Sequence, residues 1–284
     1  MIILTKTHIF PIILLKEEDF AMYNYEIIDF HTHPFLGPEQ SICAHPDHCT
    51  LTTDGIEPYF RSLGVTKICG SVIYSFAYPR SCETWEPLRK LNESALELKE
   101  KLGDFYIPGF HVHPYFYDES CREIERMAGL GVRLVGELVP YLHGWDDYAC
   151  DAFSGIIDEI ERHDMILSVH TMSDDSMDKM VQRHPNAVIV AAHPGDFGAF
   201  NRQLNRLAMS ENYYVDISGH GLFRYGLIRE GIDRFGADRF LFGTDYPICT
   251  PGIYIGGICC DPLITEEERK LILSGNAKRL LRIE

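Results

Sequence analysis

The stretch Tyr25-Glu-Ile-Ile-Asp-Phe-His-Thr-His-Pro34 joins a short β-rich run to two histidines one residue apart and then to a proline. Strand side chains alternate faces, so His31 and His33 project to the same side, about 6 to 7 Å apart along the strand. Pro34 cannot continue a central strand and ends the run. Imidazoles at this spacing can share one metal ion, although two histidines at a solvated strand end would read the same way.

The run at 26–31 is the first of eight. The others are 67–74, 105–111, 132–139, 166–170, 188–192, 213–218 and 239–243. Between them apolar residues fall at helical spacing, as in Leu88, Leu91, Ala95, Leu98 and Leu102, or Phe153, Ile156, Ile157 and Ile160. Thr265-Glu-Glu-Glu268 reads as a capping box that starts a last helix. Eight strands alternating with helices predict a single (β/α)8 TIM barrel spanning 22–284. The alternative, an open doubly wound sheet, lacks its Gly-x-Gly-x-x-Gly turn after the first strand.

The chain has 284 residues, enough for one large barrel without a second domain. With 45% apolar and 24% charged residues it can fill a core, which excludes disordered and disulfide-stapled classes. Its formal charge of -16 argues against nucleic acid or an anionic membrane as a partner. Nine scattered cysteines read as reduced, cytoplasmic usage. Residues 1–21 contain an apolar stretch too short to span a bilayer and read as an extension or added strand outside the functional core.

Later runs also end in metal-compatible residues. Glu137 lies inside the apolar run 132–139, where an unpaired carboxylate would be costly to bury. His170 closes the fifth run, His193 follows the sixth, and Asp245 follows the eighth. In a barrel these C-terminal strand ends converge on one mouth.

With His31-x-His33, His170, His193-Pro-Gly195, Gly243-Thr-Asp-Tyr-Pro247 and a closing Asn276-Ala-Lys-Arg-Leu280 in this order, the sequence resembles the metal-dependent amidohydrolase superfamily. The resemblance is to the branch of aminocarboxymuconate semialdehyde decarboxylase-like barrels. It implies that His31, His33 and Asp245 hold a divalent metal, joined by His170, or that His170 and His193 hold a second ion. Glu137 occupies the position where a carboxylated lysine or a glutamate bridges two ions in many relatives. Zinc is the expected ion, with manganese or iron(II) compatible with the same ligands.

Such a cation acidifies water, Asp245 would accept the proton, and the metal or His193 would polarise the reacting oxygen. The expected reaction is hydrolysis of an amide, lactone or other ester of a small molecule. Metal-dependent decarboxylation is the alternative, and a catalytically silent metal- or ligand-binding barrel is the reading from another class. Barrels of this type often pair, so a homo-oligomer is compatible with the sequence.

Further residues are candidates for the mouth. His111 and His113 repeat the His-x-His spacing at the third run, as pocket lining or a second metal pair. Tyr141, His143 and Trp145 follow Glu137, where they would contact substrate or pack the loop. His220 and Arg224 follow the seventh run and could take an anionic group, although a surface arginine reads the same way. Cys43, His45, His48 and Cys49 have zinc-compatible chemistry, but their spacing is not a standard finger pattern and the loop reads rather as a lid over the mouth, while Cys249, Cys259 and Cys260 read as buried or pocket thiols.

Overall fold

The computed structural model describes residues 24–37, 40–43, 52–73, 83–221 and 224–284. Residues 1–21 and the lid candidates His45, His48 and Cys49 lie outside the described residues. Eight strands form one parallel sheet in sequence order: β1 (Ile27–Asp29), β2 (Val65–Ser71), β3 (Tyr106–Phe110), β4 (Leu134–Leu138), β5 (Ile166–His170), β6 (Val188–Ala192), β7 (Tyr213–Asp216) and β8 (Phe240–Leu241).

Between and after them stand α1 (Thr53–Ser62), α2 (Glu86–Leu102), α3 (Tyr117–Gly129), α4 (Pro140–His143), α5 (Asp151–Arg162) and α6 (Asp174–Arg183). They are followed by α7 (Phe197–Met209), α8 (Leu227–Phe235), α9 (Pro251–Cys259), α10 (Glu266–Lys270) and α11 (Asn276–Leu281). The apolar positions read at helical spacing on α2 and α5 are all buried. This is the predicted (β/α)8 TIM barrel.

β8 is shorter than its sequence run because the chain beyond Leu241 turns its hydrogen bonds toward the end of β1. Phe30 N donates to Phe242 O at 2.9 Å, Asp245 N to His31 O at 2.8 Å, and His33 N to Tyr246 O at 2.7 Å. This seam closes the sheet on itself and leaves no exposed edge between first and last strands.

Two apolar layers hold the barrel. Inside, Ile28, Phe30, Cys69, Leu134, Ile166, Val190, Tyr214 and Leu241 pack together and are capped by Ala277, Leu280 and Leu281 of α11. The larger layer lies between sheet and helices and includes Leu88, Leu98, Ile156, Ile160, Phe200 and Phe240. The capping box forms as read: Thr265 N donates to Glu268 Oε2 at 2.8 Å, and Glu268 N to Thr265 Oγ1 at 3.4 Å. α10 passes through a wider π-helical turn, Leu271–Gly275, into α11. With that helix closing one end, the strand ends carrying the histidines form the other. Among the described residues no helix is long and apolar enough to cross a membrane.

Candidate metal centre

His31 and His33 leave β1 with their rings nearly perpendicular and their Nε2 atoms 3.2 Å apart. Glu137 Oε2, from β4, lies 3.3 Å from His31 Nε2 and 3.1 Å from His33 Nε2. Asp245 Oδ1, beyond β8, stands 3.7 Å from each. Four ligand atoms about 2.0 to 2.1 Å from a shared cation would stand about 3.3 to 3.4 Å apart at tetrahedral angles. These five separations are close to that. Asp245 Oδ1 is also buried without a hydrogen-bond partner, an acceptor left for something other than protein. The four residues therefore fit a divalent cation.

The second oxygen of Glu137 serves another pair of histidines. Oε1 lies 3.0 Å from His170 Nδ1 and 3.8 Å from His193 Nε2. Among the described residues three groups of donor atoms lie within 4.8 Å of one another: His31, His33 and Glu137; Glu137, His170 and His193; and His31, His193 and Asp216. The six residues named from the strand ends are thus brought together, with Glu137 common to the first two groups and Asp245 reaching them at 3.7 Å from His31 and His33.

Outer partners orient these rings. His31 Nδ1 lies 2.9 Å from Asp216 Oδ2, at the end of β7, and His33 Nδ1 lies 2.9 Å from Ser71 O, at the end of β2. His193 Nδ1 lies 3.2 Å from Ser218 O. A carbonyl or carboxylate only accepts, so each of these Nδ1 atoms carries a proton and leaves Nε2 as the atom that would face a cation. Sequence reasoning missed Asp216, Ser218 and Ser71. Asp216 carried the signal used for Glu137, an acid within an apolar run.

The charges are balanced within the cluster. Burial pushes the Glu137 carboxyl up, but the His31 charge and hydrogen bonds from His170, His31 and His33 outweigh it and hold the group well below the usual range. Burial depresses His31, yet the carboxylates of Asp216 and Glu137 raise it well above its ordinary value. Burial raises the Asp245 carboxyl, only partly offset by the neighbouring histidines, and lowers His193.

The backbone is unusual where it delivers these groups. His193 and Asp245 adopt φ of 70° and 65°, left-handed values that disfavour side chains and concentrate at functional sites. Two glycines admit the rings. A Cβ on Gly219 would lie 2.2 Å from His193 Nδ1, and one on Gly243 would lie 2.8 Å from His31 Cβ.

The cluster opens into a cavity of about 770 Å³ lined by Tyr141, His170, Thr171, His193, Asp196, Ala199, His220, Asp245, Ile248 and Cys249, among others. Tyr141 and His220, two of the mouth candidates, are therefore cavity residues. Arg224 is half-exposed and pairs with Asp196 on the cavity lip at 3.2 Å.

His113, His143 and Trp145 are turned inward. His113 Nε2 lies 2.9 Å from His143 O, and its Nδ1 accepts from Tyr115 N at 3.0 Å, so both ring nitrogens serve the backbone. Trp145 is buried against Tyr148, Phe153 and His113. His143 is buried beside His111, their ring centroids 5.2 Å apart. His111 Nε2 donates to Val72 O at 2.7 Å, and its Nδ1 is buried without a partner. His111 and His113 enter none of the donor groups among the described residues. The described cysteines form no disulfide with one another; Cys259 is buried and Cys249 lines the cavity, as expected, whereas Cys260 is exposed.

Comparison with known proteins adds the family. The amidohydrolase family model matches residues 28–283. No curated protein matches the chain. A 2,6-dihydroxybenzoate decarboxylase solved with 2,6-dihydroxybenzoate superposes at a TM-score of 0.71 and 16% identity, covering 91% of this chain and 100% of that one. A dihydroxybenzoic acid decarboxylase from a Polaromonas species, with bound manganese and the inhibitor 2-nitroresorcinol, gives a TM-score of 0.65 at 15% identity over 91% and 97% of the two chains. A probable 2-pyrone-4,6-dicarboxylic acid hydrolase from Acinetobacter baumannii, with citric acid bound, gives 0.62 at 13% over 91% and 100%. At these identities the solved structures share the fold, while the family match runs from β1 to the end of the closing helix. The chain belongs to the amidohydrolase family.

Proposed function

We propose that this barrel is a metal-dependent enzyme that removes carbon dioxide from a small organic acid. The observation that carries the metal-dependent reading is the set of four converging donors, His31, His33, Glu137 and Asp245. The order of reactions expected from the sequence is reversed: of the three solved structures named above, two are decarboxylases and one is a probable hydrolase, which supports decarboxylation over hydrolysis.

When bound, a divalent cation held by these donors supplies positive charge that draws an acidic substrate to the mouth. Zinc suits the imidazole and carboxylate donors, and the manganese of the Polaromonas relative supports that ion equally. In decarboxylation the carbon–carboxylate bond breaks, its electron pair remains on carbon and takes up a proton, and carbon dioxide leaves. Asp245 borders the cavity and its carboxyl is raised by burial, which suits it to hand over that proton and regain one from solvent. His193 directs Nε2 toward the same space while Ser218 holds Nδ1. Tyr141, Ala199 and Ile248 offer an apolar wall for the rest of the substrate.

A second reading, hydrolysis of a lactone, ester or amide, is favoured by Glu137, whose two oxygens face separate histidine pairs as two-cation water activation requires. Metal analysis followed by assays on hydroxybenzoates, lactones and amides tests both. The expected result is carbon dioxide release that falls about 10²- to 10⁴-fold in Asp245→Asn, with one deuterium on the vacated carbon in heavy water. Turnover of lactones or amides without carbon dioxide would establish the second reading. Bound metal with no Asp245-dependent turnover would leave a binding barrel.

A further inference from the structure

Gln203, on α7, is fully buried and hydrogen-bonds the backbone of one metal-site residue, His193, and the side chain of Thr171, the neighbour of another, His170. Its Oε1 accepts from Tyr213 Oη at 2.6 Å and from Arg206 Nη1 at 3.4 Å. Arginine can only donate, so the amide orientation is settled and Nε2 must face the other way. There it donates to Thr171 Oγ1 at 2.7 Å and to His193 O at 3.4 Å. Thr171 follows His170 at the end of β5, and its hydroxyl donates in turn to Ala192 O at the end of β6. Arg206 is itself fully buried and anchored by Asp178 at 2.6 Å and Asp174 at 2.7 Å.

We propose that Gln203 is a positioning residue for His170 and His193, tying the ends of β5 and β6 together so that both imidazoles converge on Glu137 Oε1. The inference rests on the metal-dependent reading given above. Its physical basis is that the backbone of His193 sits at φ 70°, a conformation a histidine does not hold unaided, and that the hydrogen bonds of Gln203 and Thr171 fall on the carbonyls of Ala192 and His193. Outer-shell partners of this kind set metal affinity by orienting the ligands.

The test uses the full-length protein loaded with cobalt(II), whose visible absorption reports ligand geometry and whose affinity is read by chelator competition. Gln203→Leu is expected to weaken cobalt binding by about 10- to 100-fold and to change the spectrum. Tyr213→Phe removes a bond on the far side of Gln203 and should lose stability while keeping wild-type affinity and spectrum. Should Gln203→Leu fail to fold, Thr171→Val removes the hydroxyl that accepts from Gln203 and donates to Ala192 O, and should shift affinity and spectrum in the same direction. Wild-type affinity and spectrum in Gln203→Leu or, where that variant does not fold, in Thr171→Val overturns the inference and leaves the metal reading standing. An equal shift in Tyr213→Phe also overturns it, as a general packing effect. No cobalt binding by the wild-type protein overturns both.

Discussion

The amide of Asp245 donates to the carbonyl of His31 over 2.8 Å, so a hydrogen bond that closes the barrel also joins the first and last donors of the cage. Closure and site geometry are therefore one property. Any change that loosens the seam between β1 and the segment after β8 should be felt at the donors.

Glu137 is shared by two of the three donor groups, and Glu137→Gln should lower metal stoichiometry as well as affinity. Asp245→Asn, which touches only the first group, should leave one group intact. In the metal-free protein Glu137→Gln should also cost about 3 kcal/mol, because buried histidines lose the charge that balances them. Metal counting by elemental analysis and denaturant unfolding with and without chelator check the two effects.

Asp216 holds His31 Nδ1 at 2.9 Å and would act on a bound metal through that ring. Asp216→Asn should keep the fold but weaken metal binding by about 10- to 100-fold, since an amide neither fixes the Nδ1–H tautomer as firmly nor strengthens the ligand as a carboxylate does. Chelator competition measures this directly, and unchanged affinity would remove Asp216 from the site.

Gly219→Ala should be damaging out of proportion to its size. A methyl group there would lie 2.2 Å from His193 Nδ1, at a backbone φ of 60°. The left-handed conformation alone should cost about 1 to 2 kcal/mol. Displacement of His193 should appear separately, as weaker metal binding and slower turnover, in the folded fraction of the variant.

His111 supplies a pH dependence of definite sign. Burial pushes its imidazole down to about 4 from the ordinary 6.5, against the raising effect of the Val72 carbonyl. In the unfolded chain it would protonate below 6.5, so between 6.5 and about 4 the unfolded state binds more protons than the native one. The His111 contribution to stability is thus full above pH 6.5 and is lost as pH falls through about 4. Imidazole NMR should find His111 neutral, protonated on Nε2, throughout that window in the metal-free protein. Denaturation of His111→Phe should show a shallower loss of stability across it.

Most of the barrel was legible along the chain. The runs at 166–170 and 188–192 coincide with β5 and β6, being short, apolar and bounded by residues that interrupt them. The run at 239–243 overstates β8, because the segment after Leu241 bonds to the β1 end, and long-range pairing leaves little local trace. Site residues divide in the same way. His31, His33, Glu137, His170, His193 and Asp245 stand at or near strand ends, where period-two geometry and topology predict convergence. His113, Trp145 and Gln203 could not be placed that way, since residue type does not say whether a polar or aromatic side chain turns to the mouth or to the backbone behind it.

What the sequence by itself determined is the alternation of strands and helices and the kinds of donor at the strand ends, because both rest on residue type and short-range spacing. Only the tertiary structure decided that Glu137 shares its two oxygens between two histidine pairs, that Asp216 stands behind His31, and that Gln203 reaches the ends of β5 and β6. These relations join residues far apart along the chain. They are set by the order and register in which eight strands close, which no single stretch of sequence contains.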